Sequence, residues 1–125
     1  MLVVDDDLTV RSLIVEILID EGYAVREASD GREALATMAG WRPEVVVLDL
    51  VMRGMDGRAF LREQRGRPEL ASIPVIVLSA RYRAQLDATE LGADAVVLKP
   101  FELDELAAEV QRQLIRNASF GQATE

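Results

Sequence analysis

With 125 residues, half of them hydrophobic and 29% charged, the chain has the length and balance of one globular domain. A net charge of −8 disfavours nucleic acid as a partner of this chain alone, because duplex affinity rests largely on cationic contacts to phosphate. No cysteine, no basic leader ahead of "MLVVDDD" and no apolar run near the ~20 residues of a bilayer span together predict a cytoplasmic chain without disulfides or membrane contact.

Taken in order, "LVV" at 2 to 4 reads as a short buried strand, followed by three aspartates of which Asp7 is placed to cap a helix. From Leu8 to Asp20 apolar residues recur at Val10, Leu13, Ile14, Ile17 and Leu18, with Thr9, Ser12, Glu16 and Asp20 on the opposite stripe. "AVREA" at 24 to 28 alternates and suits an edge strand; a helix follows over about Arg32 to Ala39. "VVVL" at 45 to 48, "VIVL" at 75 to 78 and "AVVL" at 95 to 98 read as fully buried parallel strands. Helices are expected near Ala59 to Arg65, Ala84 to Leu91 and Leu103 to Arg116, the last opening with acids and closing with arginine as the helix dipole prefers. The folded unit is thus residues 1–116, with 117–125 a frayed tail or a cut linker. Alternating strands and helices imply right-handed crossovers and an α/β fold, a doubly wound five-stranded parallel sheet with helices on both faces. The flavodoxin-like strand order 2-1-3-4-5 suits five strands.

Polar residues end these strands. "LVV" meets Asp5 and Asp6, "VVVL" meets Asp49, "VIVL" meets Ser79 and "AVVL" meets Lys99, the one lysine among fourteen basic residues. Taken singly, the acids before a helix read as caps and Ser79 as a strand-end hydroxyl, but an aspartate inside "VVVLDLVM" costs several kcal/mol unless something pairs with it. In a parallel sheet all four ends lie along one edge, where open α/β folds bind ligands. The expected order makes Asp5/Asp6, Asp49 and Ser79 neighbours at ~4.8 Å strand spacing, and leaves Lys99 about 10 Å from Asp49, within reach of its long stem. Three clustered acids call for a cation, and Mg²⁺ fits an oxygen-only set in a chain with neither cysteine nor histidine. A metal beside a carboxylate, a lysine and a hydroxyl is a phosphoryl-transfer arrangement, in which an aspartate can serve as nucleophile.

In order and at these spacings, "LVVDDD", "VVVLDLVMRGMDG", "PVIVLSA" and "GADAVVLKPF" closely resemble the receiver domain of two-component response regulators, over residue 2 to about 116. The resemblance implies that Asp49 is the phosphoacceptor, charged by a histidine kinase or phosphotransfer protein. It also implies that Asp5, Asp6, Asp49 and the backbone carbonyl of Val51 hold Mg²⁺, that Ser79 and Lys99 contact the phosphoryl group, and that the Lys99–Pro100 bond is cis. A downstream output protein or domain is the implied reader, and the surface over about 84–116 the implied partner or homodimer face. Two positions depart from the family. Arg53 replaces a usual proline, predicting a less rigid loop after Asp49, and Val96 replaces an aromatic whose inward swing it cannot make. Val51 and Arg81 occupy the two positions that, in the family, tune attack of water on the acyl phosphate, so the resemblance implies that they set its lifetime.

A signalling module rather than an enzyme is therefore expected. An aspartyl phosphatase or mutase would need an acid two residues after its nucleophile, where this chain has Val51. A phosphate-independent scaffold would have little use for all five polar positions, and a nucleotide-binding domain would need a glycine-rich phosphate loop.

Overall fold

The computed structural model describes residues 1–79, 92–99 and 101–123. In chain order the elements are β1 (Leu2–Val4), α1 (Leu8–Asp20), β2 (Arg26–Ala28), α2 (Gly31–Met38), β3 (Val46–Asp49), α3 (Gly57–Arg65), β4 (Val75–Ser79), β5 (Ala95–Leu98) and α4 (Leu103–Ala123). The strands form one parallel sheet in the order β2-β1-β3-β4-β5, the doubly wound flavodoxin-like arrangement expected from the sequence.

Strand alternation splits the apolar side chains into two cores. Leu2, Val4, Val46, Leu48, Val75 and Val77 pack with Ala34 and Leu35 of α2 and Phe60 and Leu61 of α3. On the other face Val3, Val47, Ile76 and Leu78 pack with Ile14 and Leu18 of α1 and Leu106 and Val110 of α4. A sheet covered twice explains why the central strands read as unbroken apolar runs. Each such side chain removed from water contributes roughly 1.5–3 kcal/mol.

Capping aspartates set the starts of the first three helices. The Asp7 carboxylate accepts from the N–H groups of Thr9 and Val10, Asp30 from Glu33, and Asp56 from Ala59. Helices α2 and α3 therefore begin at Gly31 and Gly57, ahead of the Arg32 and Ala59 expected from hydrophobic period, because the cap and not the first apolar residue fixes the first turn.

Other boundaries also move. Strand β2 is shorter than "AVREA", and β3 is shifted by one residue, so that Asp49 is its last member and pairs with Leu78. Strand β5 is not fully buried as expected: it lies at the sheet's edge, and Leu98 is exposed. Leu13 is exposed too, since the apolar stripe of α1 is wider than its contact with the sheet, which takes Ile14 and Leu18. Helix α4 passes Arg116 to Ala123, where a tail was expected; extending a helix already nucleated adds one bond per residue fixed. The helix expected at 84–91, Arg81 and the Lys99–Pro100 bond lie outside the described residues. Among the described residues no helix is long and apolar enough to cross a membrane.

Candidate functional site at the carboxyl edge of the sheet

The same alternation that builds the cores aims the charged strand ends. Asp5 continues the phase of Val3, Asp49 that of Val47 and Lys99 that of Val97, all on the face covered by α1 and α4. Asp5, Asp6 and Asp49 accordingly converge, each offering a carboxylate oxygen within 4.8 Å of the others, so the cluster could hold a metal ion. Lys99 crosses the width of β4 to bring Nζ within 3.3 Å of Asp49 Oδ1. Ser79 follows the opposite phase, that of Val75 and Val77; it is buried at the end of β4, and its carbonyl accepts from the Lys99 N–H at 2.7 Å. Val51, by contrast, exposes 72% of its surface on the loop after β3, while its backbone N–H donates to the Asp49 carboxylate.

Burial dominates the electrostatics. It pushes the Asp5 carboxyl up to about 6; the Asp7 N–H opposes the rise, the charge of Asp49 adds to it, Lys99 opposes it and Asp6 adds again. Asp49, only 7% exposed, is likewise raised by burial, and the adjacent Lys99 and the Val51 N–H do not overcome that effect. Lys99 alone therefore leaves the pair of buried acids undercompensated. Asp5 shows this most directly: Oδ1 accepts from the Asp7 N–H at 2.9 Å, whereas Oδ2 is buried without a hydrogen-bond partner among the described residues. A buried carboxylate oxygen lacking a donor, beside two more carboxylates and no nitrogen or sulfur ligand, is the donor set of a hard divalent cation.

The sequence reading missed Arg11. From the first turns of α1 its Nη1 donates to the Asp5 carbonyl at 2.7 Å and its Nε to Glu27 Oε1 at 2.9 Å, tying the acidic loop to β2. Its sequence signal was only a basic residue on neither stripe of α1. Gly57 was also passed over except as part of a turn. A Cβ there would lie 2.7 Å from Leu50 Cα and 2.8 Å from the Asp49 carbonyl, so only glycine lets α3 start directly against the backbone at the end of β3. The loop at Arg53, expected to be loose, is tethered: the Arg53 N–H donates to Asp6 Oδ2 at 3.2 Å, a bond no proline could make.

A doubly wound sheet whose carboxyl edge gathers three acids and a lysine defines the receiver class of signalling domain. The family model of the response regulator receiver domain matches residues 1–111, and the chain belongs to that family. It is 41% identical over 118 residues to the response regulator MprA of Mycolicibacterium vanbaalenii, covering 93% of this chain and 50% of that protein. The chain thus spans about half the length of the curated relatives it matches. Among solved structures, the signal receiver domain of a signal transduction histidine kinase from Syntrophus aciditrophicus is 36% identical, with a TM-score of 0.84 over 90% of this chain and 87% of that one. The chemotaxis response regulator CheY4 of Vibrio cholerae is 32% identical, with a TM-score of 0.85 over 90% of this chain and 96% of that one.

Proposed function

We propose that this receiver is a Mg²⁺-dependent switch that accepts a phosphoryl group on Asp49 from a histidine kinase or phosphotransfer protein. The observation that carries the reading is the raised, nearly buried Asp49, held by Lys99 at 3.3 Å beside the partnerless Asp5 Oδ2. As a carboxylate Asp49 offers the oxygen nucleophile, and the larger negative charge of the acyl phosphate is what Lys99 and the metal would offset. The Asp49 oxygen attacks phosphorus, the phosphorus–nitrogen bond to the donor imidazole breaks, and the imidazole leaves with the electron pair and takes up a proton.

Asp5, Asp6 and Asp49 would hold Mg²⁺ together with the Val51 carbonyl. The ion would supply positive charge to the transferring phosphoryl oxygens. Lys99 releases its hold on the carboxylate and turns to the phosphoryl group, and the Ser79 hydroxyl donates to it. Gly57 lets the start of α3 lie against the Asp49–Leu50 backbone and so fixes the end of the strand that carries the carboxylate. A histidine kinase supplies the signal, and an output domain or protein reads it. Leu98 and Ile115, exposed apolar residues on β5 and α4, support a reading face within 84–116 and its use as a partner or homodimer surface. Val96 is half-buried against the α2–α3 core, so the readout does not depend on an aromatic swing at that position.

The test is intact mass after incubation with Mg²⁺ and acetyl phosphate. Wild type is expected to gain one phosphoryl group and Asp49→Asn none. An adduct that survives the substitution would move the acceptor elsewhere. Absence of any adduct on folded wild type would favour a scaffold, and sustained phosphate release from many substrates an enzyme.

A further inference from the structure

Each acid of the cluster meets a different cationic environment. Asp49 has Lys99, partly sheltered, on Oδ1 at 3.3 Å. Among the described residues no cation pairs with the Asp5 carboxylate, since Arg11 binds its backbone carbonyl and Glu27. Asp6 has Arg53, which engages one oxygen twice: the backbone N–H donates to Oδ2 at 3.2 Å, and the guanidinium Nε lies 3.8 Å from the same atom. The Arg53 side chain is 96% exposed, in contrast to Lys99. Its backbone is pinned to Asp6 while its charge is free to leave.

We infer that Arg53 is a built-in competitor for the metal: its guanidinium pairs with Asp6 in the metal-free receiver and must be displaced when Mg²⁺ takes that carboxylate. The inference rests on the metal reading of this cluster given above. A divalent ion and a guanidinium have like charge, so they cannot share Asp6 without mutual repulsion, and the exposed partner moves at less cost than the buried one. The consequence is a receiver whose Mg²⁺ affinity is held down by a residue outside the ligand set, with the N–H tether keeping the competitor local. An exposed pair is a weak one, which limits the effect to tuning and leaves binding intact.

Mg²⁺ titration of the full chain, followed by amide chemical shifts or calorimetry, tests this. Arg53→Gln is expected to bind Mg²⁺ about 2–5-fold more tightly than wild type, the range that loss of an exposed ion pair allows. Arg53→Lys, which keeps the charge, should stay close to wild type. Raising salt from about 0.1 M to 1 M shortens the Debye length from about 10 Å to 3 Å and should shrink the gap between wild type and Arg53→Gln. Equal affinities for wild type and Arg53→Gln, or weaker binding by the variant, would overturn the inference while leaving the metal site intact. Failure of both proteins to bind Mg²⁺ would instead overturn the metal reading and the inference with it.

Discussion

At the carboxyl end of the sheet Asp5 buries one oxygen, Oδ2, without a protein partner, and at the opposite end Gln64 does the same with Oε1. The two differ in what surrounds the orphan. The Gln64 Nε2 donates to the carbonyls of Leu70 at 2.9 Å and Ile73 at 3.0 Å, closing the turn between α3 and β4. Arg65 donates to the Ala71 carbonyl, Arg42 to the Glu69 carbonyl and to Ser72 Oγ, and the Val75 N–H to Asp94, so this end is stitched by its own residues. A neutral acceptor left over there is offset by the two bonds its amide makes. Asp5 bears a charge, sits beside Asp49 and Asp6, and has the Asp7 N–H and the charge of Lys99 to offset it, which together do not overcome burial. Buried polarity that the fold satisfies is architecture; buried polarity that it leaves unsatisfied and charged marks where a ligand belongs.

Gln64→Leu gives the largest expected effect, because it keeps the volume and strips two buried carbonyls of their donor. At about 1–3 kcal/mol per orphaned group, partly relieved by relaxation, the loss should be about 2–4 kcal/mol in urea unfolding. Mg²⁺ affinity should not change, since α3 begins at the site but Gln64 lies near its far end. A loss well under about 1 kcal/mol would mean that the turn closes without the amide, and the contrast between the two ends would fail.

Asp5→Asn should act with the opposite sign. The Asp5 pKa is raised from 3.8 to about 6. The native state therefore binds this proton more tightly than the unfolded chain does. Its stabilising contribution is present below the unfolded value and is lost as pH rises through about 6. At pH 7 without Mg²⁺ the wild type bears the full penalty. Removing the charge should stabilise the metal-free protein by about 1–2 kcal/mol, after allowance for screening at the rim of the sheet. The variant should also lose the decline in stability between pH 4 and 6 and most of any rise in melting temperature on adding Mg²⁺. Destabilisation by Asp5→Asn without metal would place Asp5 among the architectural groups and erase the distinction.

The two ends also differed in legibility. Asp5, Asp49, Ser79 and Lys99 could be read because each interrupts or ends an apolar run, and a parallel sheet sends every such end to one edge. Even the reach of Lys99 across β4 followed from strand spacing. The stitched end was silent: Gln64 looks like any polar residue of a helix, and only the return of the chain at Leu70 and Ile73 gives its amide two carbonyls to hold. Arg11 was hidden for the same reason, since its partners are a carbonyl before its helix and a glutamate on β2. The exposure of Leu13 and Leu98 depends on how far neighbouring elements extend over them, which hydrophobic period does not encode. Asp30 and Asp56 were legible in principle, because an aspartate before glycine at a helix start is cap chemistry, yet the apolar period outweighed it.

Arg11 joins the two kinds of polarity, and its replacement gives the smallest expected change in stability. Its side chain is 15% exposed, and its guanidinium donates to Asp5 O and Glu27 Oε1. Arg11→Met keeps the apolar stem and gives up both bonds, at a cost of about 1 kcal/mol or less, since the carbonyl and Glu27 regain water. Affinity for Mg²⁺ should suffer more than stability does. Asp5 and Asp6 are adjacent, so a loop freed at the Asp5 carbonyl loosens two of the three proposed ligands together. Loss of a supporting bond behind metal ligands commonly weakens binding by about 10–100-fold, and the partial exposure here points to the lower figure. Mg²⁺ titrations and urea curves on the same variant separate the possibilities. Weakened binding with near-normal stability makes Arg11 a positioning residue of the site, whereas lost stability with normal binding assigns it to the architecture of β1, α1 and β2.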